Sequence, residues 1–289
     1  MAVRPHRLAA SCAALALALA APARPAPAQG ARRGAAPAVA LRIQPRVGDT
    51  IRVRLEQRLD MTARRDSAAR YPGAAVAMSS SMGTLALIRH IVQGSDDGAT
   101  TILVLLDSLA LDANGMPRPS EAERRRLQGR RYRVRVTPQG AMTLVDPDGV
   151  SVEGATFGTM PATLPAGPVA AGAKWTRTVE IPIAGQAGSR AVRVDVVFRL
   201  DSVTHGSDLA FVSMRGNIAR DSTPDLPPGV KRITTGSLRG SMVVDRQRGW
   251  VAESRTTLEV RSTVTRSDAP SFPPLEMNVW VMQHIQMLP

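Results

Sequence analysis

The feature that most constrains this chain is an alternation of period two. In TIRVRLEQRLDM (50–61), Ile51, Val53, Leu55, Leu59 and Met61 fall on one side and Arg52, Arg54, Glu56, Arg58 and Asp60 on the other. Successive side chains of a strand point to opposite faces, so this segment reads as a strand with one dry face and one wet face. RAVRVDVVFRLDSV (190–203) repeats it: Val192, Val194, Val196, Phe198 and Leu200 face in, while Arg193, Asp195, Arg199 and Asp201 face out. GRRYRVRVTPQG (129–140) is the same device with its acids missing, since Arg131, Arg133 and Arg135 alternate with Tyr132, Val134 and Val136. Those arginines have two readings, the solvated face of a strand or a contact to an anionic surface. Solvent is the ordinary meaning of charge spaced along a strand face.

The same reading predicts strands at 50–61, 82–93, 99–111, 131–137, 141–145, 174–182, 189–204, 208–219, 233–245, 250–265 and 276–287. Short polar turns with glycine, such as GSDDG (94–98), TPQG (137–140), THGSD (204–208) and DRQRG (245–249), join neighbours as hairpins and imply an antiparallel meander. Residues 62–80, 146–173, 220–231 and 267–275 read as loops, with SSSMG (79–83) a flexible lead into a strand. One helix interrupts the strands: PSEAERRRLQG (119–129) offers Ser120 and Glu123 as a capping box and Gly129 as an exit. TILVLLDSLAL (101–111) is apolar on both faces and MNVWVMQHI (277–285) nearly so, which requires something to cover the second side. Large sheets curl or close rather than stay flat. The expected fold is therefore mainly β: a strongly curved antiparallel sheet of about eleven strands, a half-barrel or barrel, with the short helix and long loops plugging its concave side.

The amino end sets the compartment. Arg4 and Arg7 precede an apolar run from Leu8 to Ala21, and Ala26 and Ala28 satisfy a small-residue cleavage rule, the order of a secretory signal peptide. The expected organisation is a signal peptide at 1–28, a flexible leader at 29–46 and a single β-rich domain at 47–289. The apolar run is shorter than the roughly 20 residues a membrane-spanning helix needs, so no transmembrane span is expected in the mature chain. An exported product, periplasmic or extracellular, follows. The single cysteine, Cys12, lies inside the signal segment with the bulk of the apolar run after it, whereas lipidation needs the apolar core to come before the cysteine. Cleavage leaves no thiol for disulfides, nucleophilic chemistry or a cysteine metal site.

The formal charge of +13 falls to +10 once Arg4, Arg7 and Arg24 leave with the signal peptide. Most of the remainder sits in 29–46 and 120–137, and Lys174 and Lys231 are the only lysines. Nucleic-acid binding needs basic residues along a groove with stacking aromatics, and Tyr132 is the only aromatic near the cluster, so no nucleic-acid partner is expected. His90, His205 and His284 have no second ligand at metal spacing, and DPDG (146–149) and SDDG (95–98) read as turns, so no metal or cofactor is expected. With no nucleophile elbow or phosphate loop, no catalytic residue is assigned and the chain reads as non-enzymatic.

Methionine is frequent among scarce aromatics, with Met142, Met214, Met242, Met277, Met282 and Met287 on expected strands. Met282 shares one strand face with Trp280 and His284, and Trp250 opens the neighbouring strand. Trp250, Trp280 and Met282 are the candidate lining of an apolar pocket, and Arg131, Arg133 and Arg135 the candidate anionic contact. Two partner classes follow: a lipid or other hydrophobic small molecule, or another envelope protein in an assembly role.

QPRVGDTIRVRLEQ, LQGRRYRVRVTPQGAM, LPAGPVAAGAKWTRTVEIPI and GSLRGSMVVDRQRGWVAES occur in an order that resembles a family of uncharacterised exported bacterial β-rich proteins. Ala173 stands where the third motif often has an acid. The group is similar to the periplasmic lipoprotein-carrier half-barrels (LolA-like), which implies acyl chains cradled against a curved sheet.

Overall fold

The strand at residues 50–61 lies at the centre of one eleven-stranded antiparallel sheet. The computed structural model describes residues 37–65, 76–115, 120–145, 163–182, 191–204, 208–222, 229–267 and 273–289. In chain order the elements are β1 (Thr50–Arg65), β2 (Val76–Asp96), β3 (Ala99–Asn114), α1 (Glu121–Leu127), β4 (Arg131–Val136), β5 (Met142–Leu144), β6 (Lys174–Pro182), β7 (Ala191–Val203), β8 (Leu209–Ser222), β9 (Val230–Asp245), β10 (Trp250–Arg266) and β11 (Leu275–Leu288). Across the sheet they run β5-β4-β3-β2-β1-β11-β10-β9-β8-β7-β6. The first and last strands thus pair in mid-sheet, Val53 opposite Met287 and Leu55 opposite Ile285. Two meandering wings spread from that pair, as consecutive hairpins require.

Register assigns each residue to a face. Ile51, Val53 and Leu55 align with His90, Ile88 and Ala86 of β2, and these with Val104, Leu106 and Leu109 of β3. On the other wing the same face carries Met242 and Leu238 of β9, Val212 and Met214 of β8, and Phe198 and Leu200 of β7. Val104 and Val134 from one wing and Val196 and Phe198 from the other belong to a single buried cluster. A single cluster reaching across both wings, with Thr163 and Leu164 bonded both to β6 and to the turn after β4, is what a sheet curled round on that face gives. The sheet is curled but not closed, because β5 and β6 are not paired with each other.

The segment before β6 stitches the two edges instead. The Leu164 amide donates to the Gln139 carbonyl in the turn between β4 and β5 (3.0 Å). From β6, Trp175 Nε1 donates to the Thr163 carbonyl (2.7 Å) and Arg177 Nη2 to the Leu164 carbonyl (2.9 Å). Leu164 itself is wholly buried.

Three expectations change. Residues 62–65 and 76–81 are strand rather than loop, and Ser79–Ser81 pair with Thr62–Asp60 of β1. Their small and polar side chains hide the alternation, but ladder bonds need only a paired neighbour. Residues 37–46, expected within the leader, lie on the fold: Val39 bridges Val169, the Ile43 amide donates to Pro138 and the Gln44 amide to Gly249. Leu41 and Ile43 are buried in the core. These side chains and Leu164 fill the space expected for the helix, since Glu121, Ala122 and Arg125 of α1 are exposed and, among its described side chains, Leu127 alone packs on the core. A seven-residue helix has too little apolar face to plug so wide a sheet. Ala36–Pro289 form one compact unit. Residues 1–28 lie outside the described residues.

Candidate functional site

The inner face continues past the packed core at the end of the sheet where β1 finishes and β11 begins. There Leu59 aligns with Met82 and Val281, Met61 with Ser80 and Val279, and Ala63 with Met78 and Met277. Beyond them Val279, Met277 and Leu275 align with Val260, Ser262 and Val264 of β10. Leu59, Met61, Met82, Met277 and Leu275 are only half-buried, and Met78 is 61% exposed. Methionine has three rotatable bonds and a polarisable sulfur, so such a surface can fit an irregular apolar shape. On the core side Gln57 aligns with Thr84 and Gln283 to form a polar row, and two more polar features lie at the far edge. Thr234 and Ser262 satisfy each other by a buried hydrogen bond (3.1 Å), and Arg232 lies opposite Val264 with a buried Nε that has no hydrogen-bond partner among the described residues.

The opposite end is closed. Its inner face holds Trp250, 5% exposed, against His90 with ring centroids 5.4 Å apart. Trp175, the tryptophan of the segment LPAGPVAAGAKWTRTVEIPI and not a candidate site residue, stacks on Phe198 at 5.8 Å. Burial pushes the Tyr132 hydroxyl up to about 12.

The structure does not bring Trp250, Trp280 and Met282 together. Trp280 aligns with Asp60 and Glu259, and Met282 with Arg58 and Thr257, all on the outer face. Met282 is 41% exposed. His284 shares that face, where its Nε2 meets Glu253 Oε1 at 2.9 Å and its Nδ1 lies 4.0 Å from Glu56. Burial opposes ionisation of Glu253, but hydrogen bonds from His284 and Arg255 outweigh it and hold the carboxyl below its usual range. The expectation that Trp280 and Met282 look into the concavity is therefore corrected: their strand is wetter on the side they occupy, and pairing with Arg58 and Asp60 fixes that side. Arg131, Arg133 and Arg135 lie on the outer face as the alternation requires, opposite Leu105, Leu103 and Thr101. His205 and DPDG (146–149) lie outside the described residues, as does the Glu123 side chain of the expected capping box.

His90 supplies a pH prediction. Burial lowers its imidazole from an ordinary value near 6.5 to about 4, so the folded state excludes a proton that the unfolded chain binds. Stability is then full above pH 6.5 and falls as the pH drops towards 4, by about 3 kcal/mol in all. Denaturant titrations across that range should show the loss, and His90→Phe should remove most of its pH dependence.

Among the described residues no group of three or more histidine, cysteine or acidic side chains is placed to hold a metal ion. No helix there is long and apolar enough to cross a membrane. No protein-family model matches the chain, and no curated protein is similar to it. Among solved structures it is similar to one described as "Lipid-protein interactions in lipovitellin", with 7% identity and a TM-score of 0.50. That likeness covers 85% of this chain and 26% of the other, so this chain spans about a quarter of its neighbour's length. At such low identity the likeness concerns the fold alone.

Proposed function

We propose that this chain is a non-enzymatic exported protein of the bacterial envelope that binds a lipid or other hydrophobic molecule against the inner face of its curled sheet. The observation that carries the reading is the row of half-buried methionines and leucines continuing the core face beyond the core. The sheet architecture it shares with lipovitellin supports it, as do the motif resemblance to uncharacterised exported bacterial proteins, a group that looks like the periplasmic lipoprotein-carrier half-barrels, and the signal-peptide order of residues 1–28. Each methylene placed on that surface gains about 0.8 kcal/mol, so an acyl chain covers what the sheet leaves open.

Native mass spectrometry of the purified mature protein tests it. Bound lipid is expected, and Met61→Arg or Met277→Arg should abolish retention while Met282→Arg, on the outer face, leaves it intact. Clean homo-oligomers with no added mass, and no uptake of fatty acid or phospholipid on titration, would replace this reading with an envelope assembly role.

A further inference from the structure

The outermost inner-face row at the methionine-lined end carries a cation. Leu275 of β11 aligns with Val264 of β10, and Val264 with Arg232 of β9. One row further in lie Met277, Ser262 and Thr234, and then Val279, Val260 and Gly236. Arg232 is half-buried, and its Nε lies below the surface with no hydrogen-bond partner among the described residues, where Arg232 also makes no ion pair. The hydroxyls of the next row, Thr234 and Ser262, bond each other instead (3.1 Å). The other charges at this end are placed differently. Arg65 at the end of β1 and Arg266 at the end of β10 have partners of their own. Glu276 lies on the outer face opposite Arg64 and Thr263, and Asp221 of β8 aligns with Thr234, one row inward of Arg232.

We propose that Arg232 receives the oxyanion head, a carboxylate or a phosphate, of an amphiphile whose chain lies along this face. The inference rests on the ligand reading above and names the chemical class of that ligand. Buried donors in folded proteins are almost always satisfied, so one that the protein's own groups leave over calls for an acceptor from outside. Nε and the adjacent Nη form one side of the guanidinium fork, which matches two oxygens of a carboxylate or phosphate at once. The direction of the chain follows. From Leu275 to Val281 the inner face of β11 stays apolar for about 20 Å at the rise of a strand. It then meets the polar row of Gln57, Thr84 and Gln283, continued by Thr256 of β10. Two acyl chains end to end span about 30 Å of bilayer hydrocarbon, so this length takes one long chain laid out straight. A charged head at the core side would find only uncharged amides and hydroxyls, which sets the head at the rim and the tail towards the core. A free inorganic anion would leave the methionines uncovered, and a neutral lipid would leave the guanidinium unanswered.

Isothermal titration calorimetry of the purified mature protein with dodecanoate, dodecyl phosphate and dodecanol tests it. Both anions should bind about tenfold or more tightly than the alcohol, the worth of a hydrogen bond to a charged group. Arg232→Gln should remove that preference and leave dodecanol binding unchanged, while Arg232→Lys, which keeps the charge without the fork, should retain part of it. Val279→Asn, in the path of the chain and without added charge, should weaken all three alike. Equal binding of the three by the parent protein, or an anion preference that survives Arg232→Gln, would overturn the proposal and leave the ligand face standing. Should Arg232→Gln fail to fold, an undiminished preference in Arg232→Lys would overturn it equally. Binding of none of the three would remove the ligand face itself, and this proposal with it. Inorganic phosphate that displaces dodecyl phosphate at equal concentration would reassign Arg232 to a simple anion site.

Discussion

Replacing Gly240 by valine should leave little or no folded protein. Gly240 lies on the inner row of β9, where Thr234, Gly236, Leu238, Gly240 and Met242 alternate with outward residues and pair with β10. A β-carbon at Gly240 would run into the carbonyl oxygen of Arg255 and sit 3.1 Å from Cα and Cγ2 of Thr256. At Gly236 it would meet the Glu259 carbonyl oxygen and lie 2.8 Å from Ile218 Cδ1. The obstacles are mostly backbone, so relief means pulling β9 away from β10 and losing ladder bonds. Glycine inside a strand marks such sharp coiling, and curved sheets need it. Overpacking alone costs about 1–3 kcal/mol, and the broken ladder adds to it against a total stability of about 5–15 kcal/mol. Far-UV circular dichroism and thermal melts check the outcome. Gly94→Ala, where nothing lies within 4 Å of the added carbon, should melt almost as the parent does. A cooperative, parent-like melt for Gly240→Val would show that the two strands are not so tightly coiled.

Val134→Asp is expected to be nearly as damaging, and Arg133→Gln next to it nearly silent. Val134 is 1% exposed, between Ile102 of β3 and Leu144 of β5. An uncompensated carboxylate in that position costs several kcal/mol. Arg133 is exposed on the other face, where a substitution shifts stability by no more than about 0.5 kcal/mol. Urea denaturation of the two variants should separate them clearly. Equal tolerance would mean that the alternation at 131–136 does not set the two faces of β4.

How far the sequence could be read follows from what each segment exposes. β1, β4 and β7 announce themselves, because a wet face and a dry face imprint period two on the side chains. The ends of β1 and β2 do not, since TARR and AMSSS offer no contrast between faces, and only the neighbouring strand makes them extend. The alternation of 277–285 was legible to the extent that Trp280, Met282 and His284 share a side. Which side was not, because Val279, Val281 and Ile285 are equally apolar, and the choice is made by pairing with Arg58 and Asp60 some 220 residues away. Met78 and Met82 lie where no alternation marks a face, and they gather with Met61, which the alternation of 50–61 places on the dry side, only when β1, β2 and β11 are laid in register. Residues 37–46 read as leader because Ala, Pro and Arg dominate the stretch before them, yet Leu41 and Ile43 already alternate with Arg42 and Gln44.

The central pairing of β1 with β11 has a consequence for the order of events in folding. Each wing is a run of local hairpins that can form as soon as it is made, but the contact joining the wings spans almost the whole domain. Such non-local closure slows folding, because the loop entropy is lost before the contact is gained. Until residues 275–288 have been made, β1 presents one long side with no strand beside it, and so does β10. An unpaired edge of that length is a template for another copy. Loss of β11 should therefore give a chain that aggregates through these two edges rather than a smaller soluble sheet.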